Sequence, residues 1–170
     1  MIKAILCVDK QGAIGQNGDM PWGRSFPKDL EYFKKVTSED IVVMGSKTWK
    51  SLPFYPKGLP KRYNYVLTTQ GRGQQGEGVI KLDGDLFSKC VTSGESIFNH
   101  KDTWIIGGAT VYEQFADIID EWHITTIDNI YPEADTFFKV DLTNFEDTLQ
   151  YSDVGNGEID ATVSVYRRKQ

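Results

Sequence analysis

The sequence predicts an α/β fold: a three-layer αβα sandwich on a mixed, mostly parallel central sheet, completed by a C-terminal antiparallel hairpin. Three observations carry that expectation. The opening segment 2–8, Ile-Lys-Ala-Ile-Leu-Cys-Val, is almost continuously apolar, as a strand covered on both faces is. Segments of strand and helix character then alternate in the order β-loop-α-β-α-β through residue 68. Near the end, Ala161, Val163 and Val165 alternate with Thr162, Ser164 and Tyr166, and Gly155-Asn156-Gly157 separates this run from 145–154 as a turn separates two antiparallel strands.

The elements follow in chain order. Gly12, Gly15, Gly18 and Gly23 punctuate 10–24, with Pro21 between Met20 and Trp22, so this stretch reads as a long mobile loop with apolar tips. Ser25 is a candidate helix cap, Pro27 suits a first turn, and Leu30, Phe33 and Val36 recur every three residues, which predicts a helix over 26–36. A second buried strand is expected over 41–45, a short helix over 47–52, a Pro-rich connection over 53–60 and a third strand over 62–68. The Gly/Gln stretch 71–78 reads as a turn region, and 86–97 as a helix. A strand over 103–106 ends in Gly107-Gly108, a helix begins around Val111, Tyr112 and Phe115, and another strand covers 122–127.

Composition bounds the function. At 170 residues the chain buries roughly 70% of its unfolded surface on folding, so one domain spanning 1–170 is expected. With 39% hydrophobic, 12% aromatic and 25% charged residues it is a globule, not a disordered chain. Nineteen Lys and Arg against 24 Asp and Glu give a net charge of −5 without a long basic run, which disfavours nucleic acid and anionic membranes as partners. Cys7 and Cys90 form neither a disulfide framework nor a C-x-x-C pair, so a reducing cytosol is the expected compartment. No apolar run is long enough to cross a bilayer. A monomer is expected, since no segment reads as a dimer face.

A few residues carry candidate chemistry. Asp29 lies one residue before Leu30 and four before Phe33, beside the apolar face of its helix. Two readings fit: a first-turn acid that favours the helix N-terminus, or a half-buried carboxylate that grips a planar N–H/NH2 edge bidentately. Gly107-Gly108 at a strand end reads either as a tight turn or as a backbone cradle for phosphate; a G-x-G-x-x-G fingerprint is absent. Lys47 and Arg62 read as surface cations or as grips for an anion. His100 and His123 have neither metal-like spacing nor a nucleophile partner and take surface or sheet roles; no metal site is expected.

Four blocks in order resemble the dihydrofolate reductase family: Ile14-Gly15-Gln16-Asn17-Gly18-Asp19-Met20-Pro21-Trp22; Pro27-Lys28-Asp29-Leu30-Glu31-Tyr32-Phe33-Lys34; Met44-Gly45-Ser46-Lys47-Thr48-Trp49; and Ile105-Ile106-Gly107-Gly108-Ala109-Thr110-Val111-Tyr112-Glu113-Gln114-Phe115. Thr125-Thr126-Ile127-Asp128 follows, so the resemblance runs through essentially the whole chain. It implies reduction of 7,8-dihydrofolate to tetrahydrofolate, by hydride transfer from NADPH to C6 with protonation at N5. By the same resemblance Asp29 holds the pterin edge and promotes that protonation, supported by Thr125. Met20 and Trp22 belong to a lid. Ile5, Leu6, Cys7, Phe33 and Ile106 line the pterin, and Tyr112, counted with both substrate and cofactor, sits against the nicotinamide end. Leu30, Phe33, Leu52 and Leu59 hold the aminobenzoyl ring, and Arg62 forks onto the glutamate tail.

The resemblance also implies that NADPH contacts Cys7, Ile14, Gly45, Ser46, Lys47, Thr48, Leu67, Thr68 and Thr69, together with Ile106, a cis-linked Gly107-Gly108, Ala109, Thr110, Val111 and Tyr112. Many bacterial members carry arginine where this chain has Ser46 and Thr110, which leaves Lys47 and Arg72 as the expected cations for the 2′-phosphate. Two alternatives are weighed: a pyrimidine reductase of riboflavin synthesis, opposed by Met20-Pro21-Trp22 and by Asp29 with Phe33, and a catalytically silent pterin- or nucleotide-binding module, opposed by Asp29, Trp22 and Arg62 together.

Overall fold

The computed structural model describes residues 1–69, 73–74 and 78–170. They form two compact units, Met1–Ala4 with Thr37–Asp120 and Ile5–Val36 with Glu121–Gln170. The boundary falls inside the first strand, β1 (Ile2–Val8), whose bounds are those expected from its apolar run.

In the first unit the start of β1 pairs in parallel with β7 (Thr103–Ile105), and β7 with β3 (Ile41–Gly45). Next to β3 lie β4 (Tyr63–Leu67) and β6 (Val79–Leu82), both parallel, and β5 (Gly73–Gln74) runs antiparallel to β6. Ile41, Val42, Val43 and Met44 are fully buried, each worth roughly 1.5–3 kcal/mol of transfer free energy, which is why the segment reads as apolar without alternation. The parallel strands end at Gly45, Leu67 and Ile105. In such sheets ligands collect at the carboxyl ends, so the residues just beyond them are the informative ones. Beyond β3 comes α2 (Ser46–Ser51), and α5 (Ala109–Gln114) follows the turn after β7.

The helix expected over 86–97 is two helices, α3 (Gly84–Ser93) and α4 (Ile97–His100). Gly94, at φ +75, caps α3 in the left-handed region and breaks the period. Asp83 opens α3 by accepting from the Asp85 amide at 2.7 Å. Phe87 packs edge-on against Phe98 and Phe115, with centroids 4.9 and 5.2 Å apart, and this aromatic core holds α3 and α4 in place.

The second unit contains α1 (Pro27–Thr37 overall, of which Thr37 falls in the first unit), β8 (Glu121–Ile127), β10 (Phe145–Asp153) and β11 (Ala161–Arg168). Strand β11 is antiparallel to β10, as the C-terminal alternation predicts, and also to β8; Ala161, Val163 and Val165 are its buried face. Asp29 in the first turn of α1 and Lys34 and Lys35 in the last complement the helix dipole. The Ser25 hydroxyl donates to the Trp22 carbonyl at 2.7 Å, closing the turn that leads into the helix.

The stretch 10–24 is more ordered than a plain loop. Residues 13–15 form β2 (Ala13–Gly15), antiparallel to β9 (Thr136–Phe137). Buried Asp9 clasps its base: Oδ1 accepts from the Gln11 and Ala13 amides at 2.8 and 2.9 Å, and Oδ2 from the Tyr131 amide at 2.9 Å. Three amide donors satisfy a carboxylate that burial alone would disfavour.

Candidate active site

In the second unit, β1 carries Ile5, Leu6 and Cys7, α1 carries Asp29, Leu30 and Phe33, and β8 carries Thr125. The side chains of Asp29, Thr125 and Cys7 meet. The Thr125 hydroxyl donates to Asp29 Oδ1 at 2.6 Å. The Cys7 thiol also hydrogen-bonds the carboxylate, and burial together with that negative charge pushes the thiol far above its ordinary range, so it stays protonated. Burial raises the Asp29 carboxyl, while the hydrogen bonds from Thr125 and Cys7 act in the opposite direction. The result is an acid that binds a proton more tightly than a surface aspartate, held in one orientation by two donors.

The lid residues gather beside it. Trp22 is buried in a cluster with Phe26, Ile127, Val154, Ala161 and Val163, against which Met20, Cys7, Tyr32 and Tyr131 pack. The Trp22 ring meets Tyr131 edge-on at 5.5 Å. Ile14, half-buried on β2, is held from the opposite strand region: the Asp135 amide donates to the Gly15 carbonyl at 2.9 Å, and Asp135 Oδ2 accepts from the Asn17 amide at 2.9 Å.

In the first unit the strand ends build a glycine cradle. The Gly45 amide donates to the Gly107 carbonyl at 2.9 Å, and the peptide joining Gly107 to Gly108 is cis. A Cβ on Gly45 would meet Val111 Cγ2 at 3.1 Å; one on Gly107 would meet Thr48 Oγ1 at 3.3 Å and the Tyr112 hydroxyl at 3.5 Å. Thr48 and Tyr112 therefore present hydroxyls against bare backbone. Ile106, Ala109 and Ser46 are half-buried around the same turns, Val111 and Leu67 are buried, and the Thr68 amide donates to the Leu82 carbonyl at 2.9 Å. Lys47, Thr69 and Thr110 are exposed. Arg72 lies outside the described residues.

A second site in this unit surrounds Arg62. An open groove of about 360 Å³ is lined by Phe54, Lys57, Leu59, Pro60, Lys61 and Arg62, among others. Arg62 Nε donates to the Pro60 carbonyl at 2.8 Å and Nη1 to Thr37 Oγ1 at 3.1 Å, which fixes the guanidinium plane; partial burial lowers its proton affinity. Buried Asn64 shapes the loop: its amide nitrogen donates to the Leu59 and Arg62 carbonyls, each at 3.0 Å, and its oxygen accepts from the Leu59 amide at 2.8 Å. Leu52 is half-buried and Leu59 buried.

Sequence reasoning missed a buried polar chain between α1 and β8: Tyr32, His123 and Glu121. His123 takes the sheet place expected of it, in β8, but it is buried, with its Nδ1 2.6 Å from the Tyr32 hydroxyl. The available signal was the two-residue period of β8, which sets 121, 123 and 125 on one face. Among the described residues no cluster of three or more His, Cys, Asp or Glu is placed to hold a metal, and no helix is long and apolar enough to cross a membrane.

Comparison with known proteins agrees over the full length. The family model described as dihydrofolate reductase matches residues 1–168. The dihydrofolate reductase of Mycoplasma genitalium is 31% identical over 174 aligned positions, covering 100% of this chain and 99% of that protein. That of Bacillus subtilis is 34% identical over 142, covering 79% and 77%. A solved structure of dihydrofolate reductase from Enterococcus faecalis, complexed with NADP(H) and RAB-propyl, superposes with a TM-score of 0.83 at 28% identity, covering 100% of this chain and 97% of that one.

Proposed function

The chain belongs to the dihydrofolate reductase family, NADPH-dependent oxidoreductases that reduce 7,8-dihydrofolate to tetrahydrofolate, and from that premise we propose how its own residues divide the work. Asp29 binds the aminopyrimidine edge of the pterin, two oxygens to an N–H/NH2 pair, and favours the form of the substrate protonated at N5. The single observation that supports this most is a half-buried carboxylate with raised proton affinity, oriented by Thr125 and Cys7. NADPH, when bound, supplies the hydride that C6 receives. Met20 and Trp22 exclude water from the reacting ring, with Ile14 on the same segment. Ile5, Leu6, Cys7, Phe33 and Ile106 are assigned to the pterin, Tyr112 to the nicotinamide end, and Leu30, Phe33, Leu52 and Leu59 to the aminobenzoyl ring.

The cradle of Gly45, Gly107 and Gly108 fits a nicotinamide dinucleotide, because backbone there is bare where a Cβ would intrude, and Thr48 and Tyr112 offer hydroxyls beside it. Ser46, Lys47, Leu67, Thr68, Thr69, Ala109, Thr110 and Val111 complete the proposed cofactor contacts. With Ser46 and Thr110 in place of arginines, Lys47 and Arg72 are left to meet the 2′-phosphate. Lys47→Ala combined with Arg72→Ala is expected to lower the ratio of NADPH to NADH use by about tenfold or more; an unchanged ratio of kcat/KM values would sink that assignment.

Arg62 receives the α-carboxylate of the glutamate tail. Arg62→Ala should raise KM for dihydrofolate by roughly 10- to 100-fold with kcat nearly unchanged, the signature of an interaction made equally in ground and transition states. Dihydropteroate, which lacks the glutamate, should not distinguish the variant from the parent. The family match covers residues 1–168 and so includes residues of both units, which supports the reading of one catalytic domain over 1–170; we further propose that it works as a cytoplasmic monomer. The primary test is the fall of NADPH absorbance on adding dihydrofolate. Ligand binding without turnover would overturn the enzymatic reading.

A further inference from the structure

The sequence holds two Asn-Gly pairs, Asn17-Gly18 and Asn156-Gly157, and neither has a part in the chemistry above. Glycine, lacking a Cβ, leaves its amide nitrogen unhindered beside the preceding asparagine side chain, so that nitrogen can attack the carboxamide carbon and close a five-membered ring. Whether it does so in a folded chain depends on how firmly the carboxamide is held. Both pairs belong to the second unit, and the structure holds them differently. Asn156 is half-buried and pinned: its Oδ1 accepts from the Glu158 and Ile159 amides at 3.0 and 2.8 Å, and its Nδ2 donates to the Ser25 carbonyl at 3.1 Å. Asn17 and Gly18 are exposed, at φ +51 and +80, and form the tip of a two-residue turn. The Gln16 amide donates to the Asp19 carbonyl at 2.7 Å, and the Asp19 amide to the Gln16 carbonyl at 3.1 Å, closing that turn. The Asn17 backbone amide donates to Asp135 Oδ2 at 2.9 Å. Among the described residues nothing holds the Asn17 carboxamide or the Gly18 amide, and a Cβ on Gly18 would meet only open space.

We propose that Asn17-Gly18 is a site of spontaneous deamidation in the folded protein, which ages the segment 14–22, while Asn156-Gly157 is protected by its hydrogen bonds. The Gly18 amide nitrogen gives its proton to solvent and attacks Asn17 Cγ; the bond from Cγ to the side-chain nitrogen breaks, and ammonia leaves. The resulting succinimide takes up one water. Opening at the side-chain carbonyl gives aspartate, and opening at the backbone carbonyl gives isoaspartate, with Gly18 then joined through the side chain. In sum one water is consumed and one ammonia released, with no oxidation or reduction. Either product sets a new carboxylate beside Asp135, whose own carboxyl is held below the ordinary range, foremost by the hydrogen bond from the Asn17 amide. Isoaspartate also inserts a methylene into the backbone of a two-residue turn whose register is fixed by the paired bonds of Gln16 and Asp19. Both changes loosen the turn that leads to Met20 and Trp22.

The effect on catalysis rests on the reading of 14–22 as the lid of a dihydrofolate reductase, and the test separates the two. The full chain is held folded in mildly alkaline buffer, beside a sample in concentrated guanidinium chloride. Peptides carrying 17 and 156 are followed by mass spectrometry, and isoaspartate by methylation with an isoaspartyl methyltransferase. In the folded chain position 17 should convert about tenfold or more faster than 156, because freeing Asn156 breaks three hydrogen bonds of ordinary net strength. In denaturant the two rates should converge. Turnover of the aged protein should fall in step with conversion at 17, converted molecules losing about three- to tenfold in kcat/KM, the worth of one lost hydrogen bond. Asn17→Gln, whose longer side chain closes its ring far more slowly, should age without that decline. Equal folded rates at the two positions, no folded conversion at 17 while the denatured chain converts, or activity unmoved as 17 converts would overturn the proposal. Turnover absent from the outset, with selective conversion at 17 intact, would instead refute the reductase reading and leave the modification standing.

Discussion

Asp29→Asn is expected to slow turnover by roughly 10²- to 10⁴-fold near neutral pH, the range typical of a lost acid–base group, and by less in acid. Asparagine preserves the shape and can still accept from Thr125, but it can neither hold a proton for N5 nor carry the charge that favours the protonated pterin. In acid, solvent protonates the substrate and the deficit narrows; an equal loss at every pH would contradict the role given to Asp29. The same substitution has an opposite effect on stability. Burial raises the carboxyl of Asp29, so the folded chain binds this proton more tightly than the unfolded one. Stability therefore falls as pH rises from the unfolded value of about 3.9 toward the folded value, and stays lower above it. Asparagine removes that penalty, and Asp29→Asn should melt at a higher temperature than the parent at neutral pH and show no such gain in strong acid. A calorimetric comparison at the two pH values checks the sign.

Gly107→Ala should be the second most damaging change, and its damage should fall on the cofactor. Gly107 holds φ at +132, a region L side chains rarely adopt, at a cost of about 1–3 kcal/mol. The new methyl would also press on Thr48 Oγ1 and the Tyr112 hydroxyl, 3.3 and 3.5 Å from its ideal position. Displacing both hydroxyls should raise the Kd for NADPH by about tenfold or more, since each 1.4 kcal/mol is a factor of ten. Dihydrofolate affinity, read by fluorescence quenching in the absence of cofactor, should change much less. Unaltered NADPH binding would remove the glycine cradle from the cofactor assignment.

Much of this was legible in the residues, for physical reasons that differ by element. The bounds of β1 and β3 coincide with their apolar runs because a strand covered on both faces has no reason to interrupt itself. The C-terminal alternation revealed which face of β11 is buried, since only one period places every second side chain inward. Strands β2 and β9, three and two residues long, are too short to show any period and exist through pairing with each other. Gly94 was visible, but only its positive φ explains why α3 ends there. Asp29 stood out by its position beside an apolar stripe, whereas the donors that orient it come from β1 and β8, distant in sequence. His123 shows the limit most clearly: spacing finds a metal cluster or a nucleophile pair, not a phenol 91 positions away.

Asp9 changes what counts as the lid. Its carboxylate ties together amides at 11, 13 and 131, so the structural unit to which 14–22 belongs also includes residues 9–13 and the turn at 131. A chimaera that imports a foreign segment beginning at residue 14 would inherit this chain's clasp intact. One that begins at residue 8 would replace the clasp with whatever the donor protein has at position 9, and would strand the Tyr131 amide unless the matching stretch around 131 travelled with it.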